Sequence, residues 1–324
     1  MLPIAIEQDR VRIGERFSVS FQRTLRIPDD GNIYPLPPGL GPLPIQDVMK
    51  YAGRVPASWL EPDVHLFIPM YQREALWLGF GGAWWKPNAV KIAVGTINAV
   101  SGEPGNGALR ADPQNYLVCP NQPWLDGFKT GEAVIRQFVA MPLGRGYSVE
   151  GHVTGKEHVG GIQMTVYEPK PGLFPDHPPP ERKPQARKPF AAPTNMPDMG
   201  LGAGGRMRQK LYPDPYGIDT WDQEHPGSVF IHIVNSEQYR EVTGHEPPPT
   251  PVDTTTYIRH GLPWIDLYDE SEGDIPASAQ LTGIKTIRDV DEEKGISPGE
   301  ENTSVEHDHL KIERLRHRAP RGDE

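Results

Sequence analysis

The chain has 324 residues, and its 33 Lys and Arg against 43 Asp and Glu leave a net charge of −10, which argues against nucleic acid or an anionic membrane as a partner. Its 37 prolines and 34 glycines favour turns and short elements over long helices. The single cysteine, Cys119, excludes an internal disulfide and a cysteine-rich zinc site. No apolar run reaches the roughly 18 residues of a membrane-spanning helix, and the opening MLPIAIEQDR lacks the basic and apolar regions of an export signal, so a soluble, cytoplasmic protein is expected.

In chain order, RVRIGERFSVSFQRTLRI alternates apolar and polar at Val11, Ile13, Phe17, Val19 and Phe21 and predicts two half-buried strands. Residues 27–45, with six prolines, read as a long surface loop. The short apolar runs 75–80 and 89–94, parted by Gly81, Gly82 and Pro87, predict paired strands at the centre of the core. Further runs at 116–119, 133–142, 147–153 and 161–167 recur between Gly and Pro and extend a sandwich or barrel over residues 1–168; AVIRQFVA at 133–140 fits a buried helix equally well. Residues 169–215 read as a Pro/Gly-rich linker or wrapping arm. A small α/β element is expected at 216–270: a strand over 228–234, a helix capped by Ser236 and closed by Gly244, and a short helix over 254–260 capped by Asp253, with Gly261 beyond it. Residues 271–324 read as an acidic, largely disordered tail.

MGLGAGGRMRQ, residues 199–209, holds the G-x-G-x-x-G spacing of a dinucleotide fingerprint at Gly200, Gly202 and Gly205. That chemistry needs a strand before the glycines and a helix after them, whose amides face a pyrophosphate. Neither flank fits, so no nucleotide cofactor is expected. The stretch is a connector, or a contact for an anion or partner through Arg206 and Arg208. Trp124, Trp221 and Trp264 each stand beside an acid, Asp126 and Asp266 among them, as a glycan-stacking groove requires; the bland alternative is that these rings anchor loops to the core. Glu74 with Asp126 or Asp266 offers carboxylates for glycosidic chemistry. His152 with His158, and His307 with His309, are the histidine pairs that could ligate a metal. Cys119 reads as an inert buried thiol.

The blocks MYQREALWLGF, QPWLDG, GGRMRQKLYPDPYG and GLPWIDLYDE together resemble a family of uncharacterised bacterial and fungal proteins over most of residues 1–270. That resemblance implies no activity, cofactor or catalytic residue. The expected protein is therefore mainly β, a non-catalytic binding or assembly protein whose partner is a glycan or another protein, with self-association open. The alternative is a carbohydrate-active or metal-dependent enzyme.

Overall fold

The alternation at the start of the chain becomes the strands Arg10–Ile13 and Phe17–Thr24, paired antiparallel with Val11 opposite Val19. Their inward residues Val11, Ile13, Phe17, Val19 and Phe21 are fully buried. A computed structural model describes residues 1–61, 63–104, 107–177, 199–260, 262–268, 272–297 and 309–316. The protein is mainly β, built on one large, mostly antiparallel hydrogen-bonded sheet.

From Phe17–Thr24 the ladder runs through Ala75–Gly81 to Val134–Pro142 and on to Met199–Arg208. Met199 then pairs with Ile233 of Gly227–Val234. That strand lies between Ile162–Tyr167, antiparallel, and Val64–Pro69, parallel. Ile162–Tyr167 pairs in turn with Asn88–Val94, which also carries Leu117–Cys119. One apolar cluster joins the inward residues of these strands, from Val11 and Phe21 through Ile92 and Phe138 to Ile231.

Several expectations change. Residues 27–45 are not a loop laid over the surface: Leu25, Ile27, Tyr34 and Leu36 are buried in a second cluster with Trp264, and the segment holds the short strands Ile33–Tyr34 and Gly39–Pro42. Residues 134–142 are strand, since both edges of the segment find partners. The expected strand at 147–153 is instead the helix Val149–Thr154, started by Ser148 Oγ accepting from the Gly151 N–H and stopped by Gly155 at φ +74.

One sheet takes strands from both sides of the boundaries expected at 168 and 215. Met199–Arg208, expected as linker or arm, is a ten-residue strand hydrogen-bonded along Val134–Pro142. Gly227–Val234, assigned to a separate α/β element, belongs to the same sheet. The helix Ser236–Thr243 is capped by Asn235, whose Oδ1 accepts from the Glu237 and Gln238 N–H groups, and closes at Gly244 as expected. Thr254–Arg259 is capped by Asp253, also as expected, whereas Gly261 lies outside the described residues. The tail carries structure too: Ala279–Thr282 and Ile287–Glu293 are helices that bury Leu281, Ile287 and Val290, and Lys311–Arg316 pairs parallel with Pro263–Tyr268.

Candidate functional site

Alternation along Asn88–Val94 sends Val90, Ile92 and Val94 into the main core and turns Ala89, Lys91 and Ala93 to the opposite face. There residues 98–104 and 107–115 cover Lys91. Asn98 and Asn115 stitch these segments together: Asn98 Oδ1 accepts from the Val100 and Ser101 N–H groups at 2.9 and 2.8 Å, and its Nδ2 donates to the Asn115 carbonyl at 2.8 Å. Asn115 Oδ1 accepts from the Arg110 N–H at 2.9 Å. The partly open compartment between these segments, about 250 Å³, is lined by Lys91, Asn98, Glu103, Arg110 and Asn115 among others. Lys91 donates to the Gly107 carbonyl, and Arg110 pairs with Glu103. Burial, and then the Arg110 charge, hold the Lys91 amine below the usual lysine range.

Glu103 also lines a wider, mostly apolar compartment of about 460 Å³ between these segments and residues 275–280, with Val100, Asp112, Pro213, Ser278 and Gln280 in its walls. The far wall is anchored. Ile275 and Leu281 belong to the main core, and the Ile275 N–H donates to the Leu211 carbonyl at 2.7 Å. Asp274 accepts from the fully buried Lys129 Nζ at 2.6 and 2.5 Å and from the Ala133 and Leu211 N–H groups at 2.6 and 2.9 Å. Two segments, each hydrogen-bonded to the sheet or to itself, therefore face each other across the cleft.

The acids singled out in the sequence do not share these surroundings. Glu74 is fully buried, with Oε1 2.5 Å from Arg23 Nε and Oε2 accepting from the Tyr71 N–H at 2.9 Å. Burial pushes its carboxyl up, and the Arg23 guanidinium pulls against that. Asp126 is buried beside Trp124 and Gln209; burial raises it to about 7, and its Oδ2 has no hydrogen-bond partner among the described residues. Asp266 faces Arg208 at 3.5 Å on the surface.

The glycan groove loses its platforms. Trp221 and Trp264 are 1% and 0% exposed and lie in different clusters. Trp221 Nε1 donates to Asp214 at 2.9 Å, and half-buried Trp124 packs in the cluster of Trp264, so these rings anchor segments to the core. His152 Nε2 lies 3.1 Å from the Gly146 carbonyl, while His158 contributes its backbone N–H to Glu150. His309 is exposed, and His307 lies outside the described residues. No group of three or more His, Cys, Asp or Glu among the described residues is arranged to hold a metal ion. Cys119 is buried, which raises its thiol well above the usual range.

The glycines of 199–209 sit within a strand because neighbours crowd them. A Cβ on Gly200 would stand 2.7 Å from Leu143 Cδ2, one on Gly202 2.8 Å from the Tyr147 carbonyl, and one on Gly204 2.7 Å from Val139 Cγ2. Arg206 donates to the Gly31 carbonyl, and Arg208 faces Asp266. The spacing thus reflects close packing in the sheet, with no turn for a phosphate to enter.

Two features carry little local signal in the sequence. Lys91 had one signal, a lysine interrupting the apolar run AVKIAV. The other is His65 with His232, whose Nδ1 and Nε2 lie 2.9 Å apart on the parallel strands Val64–Pro69 and Gly227–Val234. Trp59 stacks on His232 at 3.8 Å between centroids, and Phe230 stacks on both imidazoles. Only the pairing of strands far apart in the chain brings them together. Comparison with protein-family models, curated proteins and solved structures gives no match to this chain. No helix among the described residues is long and apolar enough to cross a membrane.

Proposed function

We propose that the protein binds a small organic molecule in the cleft between residues 100–103 and 111–114 on one side and 275–280 on the other. The observation that carries this reading is a concave, mainly apolar compartment of about 460 Å³ whose two walls are separately tied into the core. Such a site takes up an apolar body, and a few placed polar groups orient it. The polar groups gather at one end, where Glu103 marks the junction and Lys91 and Arg110 line the narrow compartment. The ligand class that fits has an apolar body and an oxygen-bearing head, a carbonyl or carboxylate. A single buried thiol suits a reducing compartment such as the cytoplasm.

The test is a thermal-shift screen of small aldehydes, ketones and carboxylic acids on the native protein and on Ala277→Trp, which fills the wide compartment from an exposed position on its rim. Ligands of the cleft raise the melting temperature of the native protein and leave the variant unmoved. Equal shifts in both proteins, or none in either, would sink the reading.

A further inference from the structure

We infer that Lys91 is a nucleophilic amine that captures an aldehyde or ketone as an imine in the narrow compartment of the cleft. The inference rests on the cleft being a ligand site, and it adds a covalent step. Among the lysines buried along the sheet, Lys91 has a distinct environment. Lys129 is held by the Asp274 carboxylate and Lys86 by Asp176, whereas Lys91 donates to a neutral carbonyl, and the carboxylate lining its compartment, Glu103, is paired with Arg110 instead. A carboxylate keeps an amine protonated, while burial beside a second cation favours the free base, the form with a lone pair to share. The stem is fixed in a sheet strand and the amine opens on a compartment of about 250 Å³, space for a carbonyl compound of a few heavy atoms.

The step balances without an oxidant or reductant. The Lys91 Nζ lone pair adds to the carbonyl carbon, the C=O π pair moves onto oxygen, and that oxygen takes a proton to give a carbinolamine. Nitrogen gives up one proton as the carbinolamine forms; a second proton then reaches the hydroxyl, the nitrogen lone pair forms C=N as the C–O bond breaks and water leaves, and loss of the remaining N–H proton gives the imine. Glu103, lining the same compartment, is the carboxylate that can receive and return the proton.

The test is reductive trapping on the full native chain: butanal or, separately, pyruvate, each with sodium cyanoborohydride, followed by peptide mass mapping. Lys91 is expected to be alkylated about tenfold faster than exposed Lys50 and Lys156, because burial and the Arg110 charge favour the free base at Lys91. Arg110→Gln should slow the reaction at Lys91 about threefold to tenfold and leave Lys50 unchanged. The comparison of sites within the wild-type chain needs no variant, so a folding failure does not blunt it. Modification that follows exposure, with Lys91 no faster than Lys50, would overturn the inference. The two readings separate cleanly. Thermal shifts without trapping leave the binding cleft and remove the imine; trapping at Lys91 without shifts that Ala277→Trp abolishes leaves the amine and removes the wide compartment.

Discussion

Arg23, on the strand Phe17–Thr24, meets Glu74, just before the strand Ala75–Gly81, with almost no exposure to solvent, 4% and 1% for the two side chains, so each charge has the other as its counter-charge in place of water. Arg23 also donates to the Pro249 carbonyl at 2.6 Å, tying a distant segment to the pair. Removing one partner leaves a buried charge. Arg23→Ala is expected to cost about 3–5 kcal/mol in urea unfolding, more than an exposed pair such as Arg208 with Asp266 contributes. The imidazoles of His65 and His232 carry the opposite problem: burial lowers both from 6.5, His232 to about 3 with His65 adding to the effect, while Asp63 and Glu61 partly restore His65. A histidine with a depressed folded pKa binds fewer protons than its unfolded counterpart. Its contribution is therefore complete above about pH 6.5 and is lost progressively as pH falls towards 3. His232→Phe, which keeps the stack on Trp59, should flatten the decline of stability between about pH 7 and about pH 4 in urea melts. An unchanged slope would place the acid sensitivity elsewhere.

At the scale of elements, local chemistry and packing compete. The helix Val149–Thr154 exists because Ser148 caps it and also donates to Glu157 at 2.7 Å, although the apolar residues around it mimic a strand. Ser148→Ala should lower stability by about 1 kcal/mol, measured by thermal unfolding. The strand Met199–Arg208 reverses the case. Its glycines read as turn, yet they are the residues that let the Tyr147 carbonyl and Ile287 approach the sheet. Gly202→Ala is expected to cost about 1–3 kcal/mol through overpacking, against less than about 1 kcal/mol for Gly53→Ala, where a Cβ meets open space.

These cases mark what was legible. Strands with clean alternation, such as Phe17–Thr24, and caps with a fixed offset, such as Asp253, follow from local rules. The glycine strand and the helices of the tail do not, because their stability comes from surfaces supplied by residues distant in the chain, as where Arg206 pairs with Ile33 and Asp291 with Arg73. The cleft was invisible for the same reason. Its two walls are a loop and a tail segment with no motif, and only the buried lysine in AVKIAV hinted at it.

For the molecule as a whole, the Lys129–Asp274 contact fastens the tail to the sheet and sets one wall of the cleft. Asp274→Ala strands a fully buried ammonium and two backbone donors, so a loss of about 3–5 kcal/mol is expected, together with faster proteolysis within residues 272–297. Cleavage confined elsewhere would mean that this fastening is not what holds the segment.

The position of Met199–Arg208 has a kinetic meaning. It joins Val134–Pro142 on one side and Ile33–Tyr34 on the other, and at Met199 meets Gly227–Val234, which itself pairs with Val64–Pro69. On the ribosome, the early strands must wait with open edges until about residue 234 has been made, since the partners that close them are synthesised last. A chain released at residue 168 should remain without cooperative unfolding and prone to aggregate, and the 324-residue chain should depend on holdase chaperones during synthesis.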